Sequence, residues 1–192
     1  MLLSWDTLNA EIESCRACGL CGGIRNKVPG QGDPHAALML IGEGPGADED
    51  AQGLAFVGRA GQLLTKMLAA IHLTRQEVFI CNIVKCRPPQ NRVPQPDEAA
   101  ACLPFLRRQF LLVKPKVVVL LGATAARAVL GDDIRITRDR GIWVEKKGVF
   151  FMPTYHPAAL LRDESKKRDA WHDLQAVERK LTELNAQGEE KH

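Results

Sequence analysis

The chain has 192 residues, 45% of them hydrophobic and 26% charged, and carries a formal net charge of +3. That length supports one well-buried core and is short for two ordinary domains, so a single domain spanning 1–192 is expected. The composition excludes a disordered, fibrous or coiled-coil chain; no apolar run approaches a membrane span and Met1 leads into a charged segment, so a cytoplasmic protein with no membrane partner is expected.

Trp5, Leu8 and Ile12 recur at helical spacing behind Ser4, a candidate N-cap, which predicts a helix from Ser4 to about Ser14. Cys15 to His35 is rich in Gly and Cys, has no period, and reads as a ligand-bearing loop. The apolar run Ala37–Ile41 predicts a strand, and directly behind it stands Gly42-Glu43-Gly44-Pro45-Gly46. A glycine turn after a strand commonly offers backbone N–H groups to a phosphate, but a carboxylate at its centre repels one. This loop suits holding Glu43 against an electron-poor group or a water molecule, with Gly44 and Gly46 admitting a close approach to the backbone. The alternative is an ordinary strand-to-helix turn.

Further along, a helix is expected near Gly58–Leu73, a strand at Val78–Asn82, and a helix opening at Pro96-Asp97-Glu98 and running to about Val113. Lys116–Leu121 is a continuous Val/Leu strand of the kind covered on both faces, and Gly122–Leu130 reads as a short Ala-rich helix. Trp143-Val144 and Val149–Met152 flank a charged turn as a hairpin; a last helix fits Arg168–Leu184, and 187–192 reads as a frayed tail. Segment 81–116 holds seven lysines and arginines against two acids, which favours a polyanionic partner or, more plainly, a solvated face. The alternation of strands and helices predicts an α/β fold, a parallel sheet between helix layers, whose ligands bind at the carboxyl ends of the strands. Glu43, Asn82 and His156 all fall at such ends.

Six cysteines in a reducing compartment point to metal or cluster ligation rather than disulfides. Cys15 and Cys18 have a chelating spacing, and Cys86 and Cys102 offer a second, wider pair. Uneven spacing suits an iron–sulfur cluster, a zinc ribbon would end in another close pair, and spacing alone leaves both open. Cys21 extends the first pair by another step of three, while Cys81 sits in an apolar strand as a small core residue.

Four stretches in order resemble the family 4 uracil-DNA glycosylases, base-excision repair enzymes of bacteria and archaea. They are Gly42–Gly46 with Glu49-Asp50 and Phe56-Val57-Gly58, then Asn82–Pro89, then Asn91-Arg92, and finally Tyr155-His156-Pro157-Ala158-Ala159-Leu160-Leu161-Arg162. The likeness runs from Cys15 to about Trp171. It implies a [4Fe-4S] cluster held by Cys15, Cys18, Cys86 and Cys102, and a three-layer α/β/α fold around a short, mainly parallel four-stranded sheet, with segments 15–35 and 86–102 carrying the cluster. It implies a monofunctional enzyme that flips uracil out of single- or double-stranded DNA and hydrolyses its N-glycosidic bond, acting as a monomer near the nucleoid. Asp163 stands where the family usually has Asn, at the DNA-facing edge of the last motif.

Within that chemistry, Phe56 supplies a stacking face and Asn82 an amide that matches the N3–H and O4 edge of uracil, with Gly44 beside the base; core packing and a turn amide are the plainer readings of Phe56 and Asn82. Glu43 orients the attacking water and favours the cationic sugar, and His156 donates to the uracil O2 as it becomes anionic. Glu49 either shares the water or only begins a helix. Leu160 and Leu161 are either a wedge for a base step or buried against the sheet, and Arg162, Lys85 and Arg87 are expected on the DNA face. Two other functions fit parts of the pattern. A non-catalytic or covalently trapping uracil- or abasic-DNA-binding protein is disfavoured because Asp50–Phe56 contains no histidine, and an iron–sulfur redox protein leaves Glu43, Asn82 and His156 unexplained.

Overall fold

The computed structural model describes residues 3–189. Six strands form one sheet: β1 (Gln31–Gly32), β2 (Leu38–Gly42), β3 (Phe79–Asn82), β4 (Val117–Leu121), β5 (Val144–Lys146) and β6 (Val149–Thr154), in the order β1-β3-β2-β4-β6-β5. The helices are α1 (Trp5–Ser14), α2 (Ala47–Gln52), α3 (Arg59–Ala69), α4 (Pro96–Val113), α5 (Ala123–Leu130), α6 (Ile136–Asp139), α7 (Pro157–Arg162) and α8 (Lys167–Glu189).

The four inner strands are parallel, with Leu40 opposite Ile80 on one side and Val119 on the other, and Val119 opposite Met152. They carry the expected parallel core, but the sheet has six strands rather than four. The additions are antiparallel edges: β1 lies along β3, and β5 folds back on β6 as the first arm of the expected hairpin. Lys147 and Gly148 both have positive φ, the twist that a two-residue hairpin turn requires. Gln31-Gly32 has no apolar alternation, so nothing in its sequence marks it as a strand.

Because successive strand residues point to opposite faces, the apolar runs feed two cores at once. Leu38, Leu40, Val117, Val119 and Met152 pack under α3, α7 and α8 through Leu64, Leu68, Leu160 and Leu174. Met39, Ile41, Val118, Leu120 and Phe151 pack on the other face against α4 and α5 through Leu106, Val113 and Ala126, with Trp5 of α1 alongside Phe79. The result is the expected three-layer α/β/α arrangement.

Local signals set most boundaries. Ser4 caps α1 by accepting from the Thr7 N–H, and Pro96 opens α4 with Glu98 accepting from the Gln95 N–H. The helix expected over Gly58–Leu73 stops at Ala69, where the chain turns through His72 in the left-handed region. The last helix passes the expected end at Leu184 and takes in 187–189 of the expected frayed tail, while 190–192 lie outside the described residues. Three short helices, α2, α6 and α7, stand outside the helices expected by range; α2 realises the helix start that is one reading of Glu49, and α7 is announced by His156 at its N-cap and Pro157 in its first turn. Among the described residues no helix is long and apolar enough to cross a membrane.

Candidate active site and cysteine pocket

Chain connectivity places the cleft. From β2 the chain goes to β3 on one side and returns to β4 on the other, so a crevice opens beyond the carboxyl ends of the central strands. A cleft of about 620 Å³ lies there, lined by Glu43, Phe56, Asn82, Thr124, His156 and Arg162 among others, and it brings together the three residues placed at strand ends in the sequence.

Gly42 closes β2 at the cleft floor. A Cβ there would lie 2.5 Å from both Asn82 Oδ1 and the Phe56 ring, so only glycine lets amide and aromatic meet over the strand end. Asn82 is 1% exposed, and its Oδ1 has no hydrogen-bond partner within the protein. A buried acceptor left unpaired is costly, and pairing it with a ligand recovers that cost. Glu43, one residue beyond Gly42, has its Oε2 bonded by the Thr124 hydroxyl at 2.5 Å, across from the start of α5.

Phe56 is buried in the left-handed region at φ 54, an unfavourable conformation for an aromatic residue that surrounding contacts must hold. Arg75 donates to the carbonyls of Ala55 and Phe56 at 2.6 and 2.9 Å, and Gly61 leaves room for the Phe56 carbonyl where a Cβ would come within 1.8 Å. Glu49 ties this turn to the Glu43 loop. Its Oε1 accepts from the N–H groups of Val57 and Gly58 at 2.8 and 2.9 Å, and its Oε2 from that of Gly46 at 3.1 Å. Both oxygens of Glu49 are thus engaged by backbone, a positioning duty that its place at a helix start did not disclose.

His156 faces Phe56 with ring centroids 5.6 Å apart. Its Nδ1 accepts from the Ala158 N–H at 3.1 Å, which assigns the neutral ring's proton to Nε2. Burial, with the Arg162 guanidinium beside it, pushes its pKa down to about 4. The ring is therefore a neutral donor at neutral pH, positioned at the cleft by the N-cap of α7.

The residues expected on a DNA face divide. Arg162 lines the cleft and Leu161, the residue before it, is 38% exposed. Leu160 is 2% exposed and packs in the core beneath α7, because the segment is a helix and adjacent helical residues point to different sides. Lys85 is 1% exposed; its Nζ donates to the Asn82 carbonyl and to Gln109 Oε1, both at 2.7 Å, so it points into the protein and not toward a nucleic acid. Arg87 is half-buried, with its Nε donated to Asn91 Oδ1. Arg92, also at the cleft, is held by the Glu98 carboxylate through two hydrogen bonds, and that pairing brings Glu98 down to about 2. Thr124 and Arg75 are not among the expected site residues and no local signal marks them, while Gly42, part of the glycine loop, carries no expected role of its own.

A second, small pocket is lined by Cys15, Cys18, Cys21, Cys86 and Cys102, with Cys81 apart in the core. Burial pushes the Cys86 thiol up to about 12, and negative charge on Cys102, Cys18 and Cys15 adds to the effect; Cys102 is raised for the same reasons. Thiols so disposed give up their protons to a metal centre and to little else. Cys15, Cys18, Cys86 and Cys102 bring sulfurs from three separate stretches to one pocket, and an all-thiolate donor set of this kind fits an iron–sulfur cluster. The Lys85 N–H donates to Cys102 Sγ at 3.3 Å, and Lys27 Nζ fixes the first cysteine loop by donating to the carbonyls of Glu13 and Cys15.

The family model of the uracil DNA glycosylase superfamily matches residues 29–175. Three curated relatives share the description type-4 uracil-DNA glycosylase. That of Thermotoga maritima is 44% identical, covering 83% of this chain and 84% of its own. That of Archaeoglobus fulgidus is 45% identical over 82% and 83% of the two chains, and that of Sulfurisphaera tokodaii 42% over 91% and 83%.

Proposed function

The chain belongs to the type-4 uracil-DNA glycosylases and is an enzyme that removes uracil from DNA in repair, and we propose that the cleft built on Glu43, Phe56, Asn82 and His156 is where it does so. The observation that carries this assignment is the orphaned Asn82 Oδ1, buried on the cleft floor beneath the Phe56 ring.

An everted uracil slides over Phe56, its N3–H pairs with Asn82 Oδ1, and the amide NH2 donates to O4. Cytosine offers an unprotonated N3 and an amino group at that edge, so the same amide rejects it. Gly44 leaves the backbone open beside the base, where a Cβ would crowd Val84 at 2.9 Å. In the reaction the C1′–N1 bond breaks and its electron pair leaves with uracil, while positive charge spreads over the sugar. His156 Nε2–H stabilises the charge growing on O2; a neutral donor does this without surrendering its proton. Glu43, held by Thr124, orients a water whose oxygen bonds to C1′, and the carboxylate takes up the proton that water releases; uracil is then protonated from solvent. Glu49 supports both loops and touches no reacting atom.

Arg162 and the exposed Leu161 support a DNA-facing edge at α7, the arginine on phosphate and the leucine at a base step. No lysine lines the cleft among the described residues, which supports hydrolysis without strand cleavage. We assign a [4Fe-4S] cluster to Cys15, Cys18, Cys86 and Cys102, where it supplies a cross-link between the N-terminal loop, the β3 exit and α4. Action on single- as well as double-stranded DNA, a monomeric state and a cytoplasmic location complete the proposal. The test is incubation of the purified protein, cluster intact, with a uracil-containing oligonucleotide, followed by alkali. Alkali-labile product from the uracil strand and none from its cytosine or thymine counterparts is expected; no product would overturn the assignment.

A further inference from the structure

Lys85 lies between the cysteine pocket and the cleft and belongs to the chemistry of neither. It is among the largest fully buried side chains of the protein. Its Nζ reaches two acceptors, the Asn82 carbonyl and Gln109 Oε1, and both are neutral. Gln109 is itself fixed, its Nε2 donating to the Pro29 carbonyl at 2.7 Å. An ammonium withdrawn from water costs several kcal/mol when only neutral dipoles face it, and an anion close by is what normally offsets that cost. Lys85 also lines the small cysteine pocket, beside Cys86 and Cys102. Four thiolates around a dicationic iron–sulfur core leave a net dianion, so the cluster proposed above would provide the missing negative charge. One residue thus touches both centres: its backbone N–H donates to Cys102 Sγ, its ammonium grips the residue whose amide is orphaned in the cleft, and the next residue is Cys86.

We propose that Lys85 is a positioning residue that couples the two sites, serving as the buried counter-charge of the cluster while bracing the Asn82 carbonyl so that the amide faces uracil. The inference rests on the cluster and pocket assignments made above. Coupling of this kind is reciprocal: whatever the cluster does for uracil binding, uracil must do for the cluster.

The experiment uses cluster-loaded protein, with free uracil as ligand and a chelator as challenge. Affinity is measured by calorimetry and cluster loss by decay of visible absorbance. Lys85→Met, close in length but uncharged, should bind uracil at least about tenfold more weakly and bleach at least about threefold faster, and wild-type values for either quantity overturn the proposal. Should that variant fail to fold, the wild type decides: saturating uracil slows bleaching if the sites are coupled, and an unchanged rate overturns the coupling. Asn82→Ala separates this inference from the reading it rests on. That variant should lose uracil affinity yet bleach at the wild-type rate with no protection by uracil. If it binds uracil as the wild type does, the pocket assignment fails, whatever Lys85 does.

Discussion

Replacing Asn82 by Ala separates a recognition group from a structural one, because the two roles predict opposite effects on stability. In the free protein Oδ1 is buried without a partner, so the native state gains nothing from that acceptor and bears its desolvation. Removing it relieves roughly 1–3 kcal/mol, offset by the packing lost, and the truncated side chain opens onto the cleft instead of leaving a sealed void. The thermal midpoint should stay within about 4 °C of the wild type, since 1 kcal/mol moves a chain of this size by about 2–4 °C. Activity should behave otherwise. With uracil in place, its N3–H and O4 lose their partners in a closed pocket at about 1–3 kcal/mol each, so kcat/KM should fall roughly thirtyfold to twenty-thousandfold. Single-turnover cleavage of a uracil oligonucleotide gives the rate, and scanning calorimetry gives the midpoint. A midpoint lowered by about 8 °C or more, or activity within about threefold of the wild type, would refute the recognition role.

Four other outcomes follow from the same geometry. His156 has its folded pKa held at about 4, below the ordinary histidine value of about 6.5, so the native state binds fewer protons than the unfolded chain between those values. Stability is therefore full above about pH 6.5 and falls as pH drops toward 4, by roughly 3 kcal/mol, so the wild-type urea midpoint should fall across that window relative to that of His156→Gln, which has no ring to titrate. Thr124→Val, which removes the donor to Glu43, should lower kcat about tenfold with KM little changed, while Thr124→Ser restores it; equal effects of the two variants would deny the hydroxyl any role. Leu160→Ala should cost about 2–4 kcal/mol of stability in chemical denaturation, and Leu161→Ala almost none while weakening duplex DNA binding in a fluorescence titration. Cys21→Ser should keep its full iron content by elemental analysis, whereas serine at Cys18 or Cys102 should lose it.

What was legible in the sequence is what local chemistry dictates. The continuous Val/Leu run of β4 could only be a strand covered on both faces, and the polar residues closing β2, β3 and β6 converge because parallel strands present their carboxyl ends together. What escaped depends on partners far away in the chain. Lys85 looks like one more basic residue in a basic stretch until Gln109 and the Asn82 carbonyl enclose it. Leu160 and Leu161 are indistinguishable as letters, and only the helix begun by Pro157 sends one inward and leaves the other at the surface. The two-residue β1 exists because β3 offers it an edge, not because of its own composition.

The same distinction explains why this cleft concentrates locally unfavourable features. Phe56 occupies a backbone conformation it would not choose, Asn82 an acceptor site with no partner, and His156 an environment hostile to its charge. Each is held there by other parts of the chain: Arg75 and Gly61 for Phe56, Lys85 for Asn82, the start of α7 for His156, and Glu49 across both loops. Strain of this sort persists only when the surroundings over-determine it. Arg75→Met tests that directly. It removes two charge-assisted hydrogen bonds to carbonyls while leaving every group lining the floor of the cleft in place, so stability should fall by about 2–4 kcal/mol. If Phe56 then relaxes from φ 54, its ring leaves the uracil plane and KM rises more than kcat falls. A variant that loses stability yet keeps the wild-type KM would mean that the Phe56 turn holds its shape without Arg75, and that the support lies in Glu49 and Gly61 alone.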